Sequence, residues 1–253
     1  MQAIDVNCDM GESTSLWPYH IAADIALLPC ISSVNIACGF HAGDAQTMHE
    51  LVNAALLTGI AIGAHPGFED RENFGRTNIT VSPVKIYDII IYQLGALDAF
   101  LKINGAKLHH VKPHGALYNM AAKDAVMATA VCKAVKDYDG GLLLYGLSGS
   151  ELVHAARAVD LKSCSEVFAD RTYQEDGSLT PRSAANAMIV SEDESLQQVL
   201  QMVVSGTVKA TSGKTIPLKA ETVCIHADGM HALAFAKSIH QTLNQQGIAI
   251  KSL

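Results

Sequence analysis

Short apolar runs alternate with longer stretches of helical periodicity from one end of the chain to the other. The runs at 3–8, 32–37, 60–64, 108–112, 142–146, 166–169 and 222–226 have strand length. Most are continuously apolar rather than alternating, as in parallel strands covered on both faces. The segments between them carry helix signals. Asp44 is placed to N-cap a helix running to about residue 57, which Gly59 can close. Ser82 before Pro83 sets an N-cap with proline at the first helical position. Behind it Ile86, Ile89, Ile90, Leu94, Leu97 and Leu101 form an apolar stripe with helical spacing. Ser148 precedes a helix through about residue 158, and stretches near 194–205 and 230–246 complete the predicted helices.

Strand–helix repetition of this kind specifies a parallel sheet with right-handed crossovers. No linker, low-complexity tract or break in composition interrupts it, so residues 1–253 read as a single (β/α) barrel domain, a size ordinary for that fold. An open doubly wound sheet has the same periodicity and stays open as the alternative. The run at 247–250 adds a strand or caps the barrel. Hydrophobic residues make up 49% of the chain and charged residues 17%, which excludes disorder and provides a large core. The net charge of -7, with no run of Lys or Arg, excludes a nucleic-acid groove and an anionic membrane surface. The six cysteines form no C-x-x-C pair and read as reduced thiols of a cytoplasmic protein. The N-terminus lacks the basic and apolar regions of a signal peptide, and the apolar stretch 86–101 is cut by Asp88, Gln93 and Asp98, so it reads as a buried helix rather than a membrane span.

Polar residues collect where the strand candidates end. The first run leads into Asn7, Asp9 and Glu12, and the second into Asn35, His41 and Asp44. The third leads into His65, the fourth into Lys112, His114 and Asn119, the sixth into Glu166, Asp170 and Arg171, and the last into His226 and Asp228. In parallel α/β folds the C-terminal strand ends share one face, so these distant groups are expected around one mouth. Glycines 39, 43, 63, 67 and 115 sit beside them, either making βα turns or allowing close backbone approach to a ligand. Each histidine alone could equally be a packed structural residue. His20, His49, His154, His231 and His240 read that way, and one of His109 and His110 is expected to face the barrel centre.

Carboxylates, histidines, a lysine and an arginine around one cavity suit hydrolysis of a carbonyl compound. Asp9 is the expected general base, His114 the proton donor, and Asp228 a further catalytic candidate. Lys112 and Arg76 are expected to hold anionic groups, since a lysine at the end of a buried strand needs an anion beside it. Asn35, His41, His65, Glu166, Asp170, Arg171 and His226 complete the expected substrate contacts. Asp9, His41 and His65 could instead hold a divalent metal with an open position for water. No G-x-S-x-G, Walker A or G-x-G-x-x-G sequence occurs. GLSGS at 146–150 either seats an anion or simply caps a helix.

The segments NCDMGE (7–12), NIACGFHAGD (35–44), GAHPGF (63–68), FGR (74–76), YQLGAL (92–97), HVKPHGALYN (110–119), EVFADRTY (166–173) and LTPR (179–182) follow one another in order. Together they resemble the LamB/YcsF family from end to end. Three places depart from its usual pattern: CIHAD has Ala227 where glycine is usual, Thr77 stands where a second arginine often follows FGR, and STSLW replaces a glycine-rich turn after DMGE. The resemblance implies an irregular seven-stranded parallel barrel similar to the glycoside hydrolase/deacetylase barrels. It implies the A component of an ATP-dependent 5-oxoprolinase, which with subunits B and C opens 5-oxo-L-proline to L-glutamate. ATP with Mg2+ would be the co-substrate, and homo-oligomerisation is left open. The alternatives are a metal-dependent deacetylase-like hydrolase and a non-catalytic protein that presents substrate to its partners.

Overall fold

The first strand, β1 (Ala3–Met10), explains how the barrel is built. Its sequence alternates, with Ile4, Val6, Cys8 and Met10 packed in the hydrophobic core and Asp5, Asn7 and Asp9 bonded to side chains from other strands across the barrel interior. A strand points successive side chains to opposite faces, so this pattern puts a polar column on the barrel axis. The computed structural model describes residues 2–16, 18, 20–226 and 232–253, without the side chain of His226.

The chain continues through α1 (Ile21–Leu27), a 3-10 turn at Leu28–Cys30, β2 (Ser33–Ala37), α2 (Ala45–Thr58), β3 (Ala61–His65) and α3 (Pro83–Ile103). It goes on through β4 (His110–Val111), α4 (Gly115–Ala121), α5 (Ala125–Tyr138), β5 (Leu143–Leu147), α6 (Glu151–Ala158) and β6 (Lys162–Phe168). After α7 (Glu192–Ser205) come an antiparallel hairpin, β7 (Thr207–Lys209) and β8 (Thr215–Pro217), then β9 (Thr222–His226), α8 (Ala232–Gln245) and β10 (Ala249–Ile250). Strands β1 to β6 and β9 pair in parallel, and β9 pairs with β1, so seven strands close into a barrel. The open-sheet alternative is thereby excluded. The run at 247–250 becomes β10, which pairs with the base of β1 at Ala3 and Ile4 and lies outside the ring.

Local chemistry sets the helix ends. Asp44 accepts from the Thr47 N–H and Gly59 closes α2 in the left-handed region at φ 72°. Ser82 accepts from the Lys85 N–H ahead of Pro83. The helix expected after Ser148 begins at Glu151, because Ser148 is still sheet-bound through its N–H to the Glu166 carbonyl. Helices α1, α4 and α5 and the β7–β8 hairpin were not among the predicted elements. In α5, five alanines and valines of the buried face are too small to raise a sharp apolar stripe, although Asp124 caps it through the Val126 and Met127 N–H groups.

Gly63 occupies an inward position of β3, and a Cβ there would lie 2.1 Å from His110 Nε2. The space is needed because His110 stacks on Tyr145, centroids 4.1 Å apart, and donates to Asn35 Oδ1 at 2.7 Å. Gly63→Ala should therefore destabilise the fold by about 1–3 kcal/mol through overpacking. Gly95→Ala, at an exposed position of helix α3 with nothing within 4 Å of the new Cβ, should stabilise it by about 0.5–1 kcal/mol. Urea denaturation of the two variants checks the opposite signs.

Candidate active site

The polar column rises in layers. At the base, Asp5 accepts from the hydroxyls of Ser32, Ser33 and Thr222. One layer up, Asn7 Nδ2 donates to Glu166 Oε1 at 3.0 Å and to Thr222, while Asn35 Nδ2 donates to Asn7 and to Asp9 Oδ1, both at 2.7 Å. Tyr118 OH donates to Glu166 Oε2 at 2.7 Å. The buried polar groups of the column thus bond to each other, which is the condition for burying them at all.

Lys112 enters this network just past β4. Its Nζ lies 2.9 Å from Asp9 Oδ1, 2.8 Å from Glu166 Oε1, 3.2 Å from Asn7 Oδ1 and 3.1 Å from Cys224 Sγ. Burial opposes the ammonium, but the Asp9 and Glu166 carboxylates more than offset it and hold Lys112 well above the usual lysine range. Burial pushes Glu166 up, while Lys112, Asn7 and Tyr118 all donate to it. The anion that a buried lysine requires is therefore supplied by the protein itself.

Above Asp9 lies a ring of imidazoles. Gly11, at φ 73°, turns the chain after β1 so that Glu12 faces this ring. Glu12 Oε1 is 3.0 Å from His41 Nε2, 2.8 Å from His114 Nδ1 and 3.5 Å from His65 Nε2. Burial pushes His41 down to about 3 and His65 down to about 4, so both rings are neutral near pH 7. The FGR segment completes the ring. Phe74 and Gly75 both have positive φ, 57° and 64°, which brings the Phe74 carbonyl to 2.8 Å from His114 Nε2. A Cβ on Gly75 would lie 2.7 Å from His41 Cβ and 2.8 Å from His114 Cδ2.

A cavity of about 570 Å³ opens over these groups. Of the residues expected around one mouth, Asp9, Glu12, His65, Lys112, His114, Asn119 and Arg171 line it, together with Arg76. Asn35, His41 and Glu166 are fully buried behind them and position the lining groups. Arg171 donates to the Thr180 and Ala187 carbonyls, which fixes the loop that forms the outer wall. Asp170 does not line the cavity, and its carbonyl accepts from the Ile189 N–H. His226 ends β9 in register with Asp9, and Asp228 lies outside the described residues.

Two expected arrangements are drawn differently. The donor atoms that gather within 4.8 Å of one another belong to Glu12, His41, His65 and His114; Asp9 is not one of this group, although its Oδ2 lies 3.4 Å from His65 Nε2. Both nitrogens of His114, expected to give a proton to a leaving group, are engaged inside the protein. Asn7 and Glu12 were expected near the mouth but given no role there, and Tyr118 and Cys224 were not among the expected site residues. The alternation Asp5–Asn7–Asp9 signals Asn7, and NCDMGE already contains Glu12.

Lys112→Met would leave two buried carboxylates unneutralised and should cost about 3–5 kcal/mol of stability. Adding Glu166→Gln should recover part of that loss, with a coupling of about 1–3 kcal/mol in a double-mutant cycle followed by urea denaturation.

Comparison with known proteins agrees with this architecture. The chain is 53% identical over 253 residues to the 5-oxoprolinase A component of Tolumonas auensis, covering 100% of both chains. It is similar to the crystal structure of the lactam utilization protein from Thermus thermophilus, with a TM-score of 0.92, 40% identity and full coverage of both chains. A family 4 carbohydrate esterase from Streptomyces lividans shares the fold, at a TM-score of 0.52 and 14% identity over 98% of this chain and 91% of that one. The LamB/YcsF family description matches residues 4–253. With identity spread over the whole length and the same closed barrel, the chain belongs to the LamB/YcsF family.

Proposed function

We propose that this chain is the A component of an ATP-dependent 5-oxoprolinase, which opens the lactam of 5-oxo-L-proline to L-glutamate while ATP is cleaved to ADP and phosphate. The observation that carries the reading is the 53% identity, over the full length of both chains, to a protein of that name. The residues suit the chemistry. A five-membered lactam is a stable amide, and phosphorylation of its carbonyl oxygen would make it an electrophile that water can attack. Asp9 lies on the cavity floor, 7% exposed, with Asn35 and Lys112 fixing its carboxylate. It is the group placed to take the proton from water as general base. Arg76, Arg171 and Arg182 line the cavity wall and suit the carboxylate and phosphoryl oxygens of an activated substrate.

In this reading residues 1–253 form one catalytic barrel domain that works in the cytoplasm with subunits B and C. ATP with Mg2+ is the co-substrate, and the partners take part in nucleotide binding. A second reading, a metal-dependent hydrolase acting alone, is favoured by the Glu12–histidine ring. The requirement for ATP separates the two.

The test is glutamate release from 5-oxoproline, with and without ATP and with and without the two partner proteins. Release that needs both is expected. Asp9→Asn should keep the fold and substrate binding and lower turnover by roughly 10²-fold or more. Near-full glutamate production by that variant would remove Asp9 as the base.

A further inference from the structure

The ring above Asp9 contains a conflict of lone pairs. His65 Nδ1 is 2.7 Å from the Lys112 carbonyl oxygen, which can only accept, so Nδ1 carries the hydrogen and Nε2 is bare. His114 Nε2 is 2.8 Å from the Phe74 carbonyl oxygen, so it carries a hydrogen, and in the neutral ring Nδ1 is bare. These two bare nitrogens lie 2.9 Å apart and both face Glu12 Oε1. With the His114 ring neutral, three acceptors converge in a buried space, and a cation among them, a proton on His114 Nδ1 or a metal ion, relieves their repulsion. Histidines that bind metal ions are held in the same way, each giving its other N–H to an acceptor such as a backbone carbonyl.

We infer that Glu12 Oε1, His65 Nε2 and His114 Nδ1 form a binding site for a divalent first-row metal ion such as Zn2+. The planes of His65 and His114 stand at 86°, centroids 4.9 Å apart, so their in-plane lone pairs can meet at one point. The separations among the three donor atoms, 2.8, 2.9 and 3.5 Å, bracket the edge of about 3.3 Å that ligands make around tetrahedral zinc. His41 is not a ligand. Its ring is parallel to that of His114 within 1° at 3.7 Å, and no point lies in both planes. His41 Nε2–H instead donates to Glu12 Oε1 and orients it. Charge points the same way, since Asp9 and Glu166 flank the Lys112 ammonium and Glu12 adds a further carboxylate beside the histidines. Two histidines and one glutamate leave a coordination position for water, and Asp9, 3.4 Å from His65 Nε2, is beside it. The site stands on geometry and does not depend on the lactam reading.

The test is Zn2+ uptake by the tag-free full-length chain after dialysis against a chelator, followed by calorimetric titration with Zn2+. One saturable equivalent is expected. Glu12→Gln, His65→Gln and His114→Gln should each weaken binding by roughly 10²-fold or more, and His41→Phe, which keeps the stacked ring but loses the donor to Glu12, by roughly 10-fold. Absence of saturable uptake by the wild type, or uptake that none of the three ligand variants changes, overturns the proposal. Should a variant fail to fold by circular dichroism, Co2+ bound to the wild type decides. Intense visible bands of a low-coordinate nitrogen–oxygen site support it, and the weak spectrum of an all-oxygen octahedral ion overturns it. Glutamate release is measured separately, so loss of the lactam reading would leave the ion in place, and the reverse.

Discussion

A lysine ammonium sunk among the strands dictates the chemistry of the barrel interior. Desolvating Lys112 costs several kcal/mol unless anions and acceptors surround it, and they must come from strands remote in sequence. Asp9 from β1, Glu166 from β6 and Asn7 beneath them meet that requirement. Each of these groups then needs its own partners, which brings in Asn35, Tyr118 and Thr222. The alternative of filling the barrel with branched aliphatic side chains is closed once Lys112 is present. The polar column and the position of Asp9 are two results of one electrostatic demand.

That demand was only partly visible in the sequence. The strand-plus-helix rhythm located the seven barrel strands, and the strand-end rule located the mouth at Asp9, His65, Lys112 and His114. Closure was not legible, because it depends on β9 pairing with β1 across more than two hundred residues, a contact that local periodicity does not record. Continuity of apolar character was the expected strand signal, yet β1 alternates and its alternate residues face a polar interior. The exchange of Asp9 for Glu12 in the histidine ring was hidden for a related reason. Strand direction places Asp9, but the left-handed turn at Gly11 places Glu12, and a turn's direction is not read from spacing.

The long segments shared with the family make sense as bundles of separate duties. In NIACGFHAGD, Asn35 holds Asp9 from below, His41 stacks on His114 and Asp44 caps α2. In HVKPHGALYN, His110 braces Asn35, Lys112 neutralises two carboxylates, His114 joins the ring and Tyr118 holds Glu166. Substituting one position in such a segment disturbs groups on several strands at once. Thr77, by contrast, is exposed and bonded to Asp70, so a change at this position leaves the floor of the cavity intact.

The cavity is polarised from floor to rim. Its floor carries Asp9 and Glu12, while Arg76, Lys123 and Arg182 stand exposed on its sides. An anion entering such a field is drawn to the exposed cations of the rim. A floor held rigid by strands and a wall held by Arg171 through backbone carbonyls fit that division. The chemical step needs fixed geometry, whereas binding a charged group needs only a cation within reach.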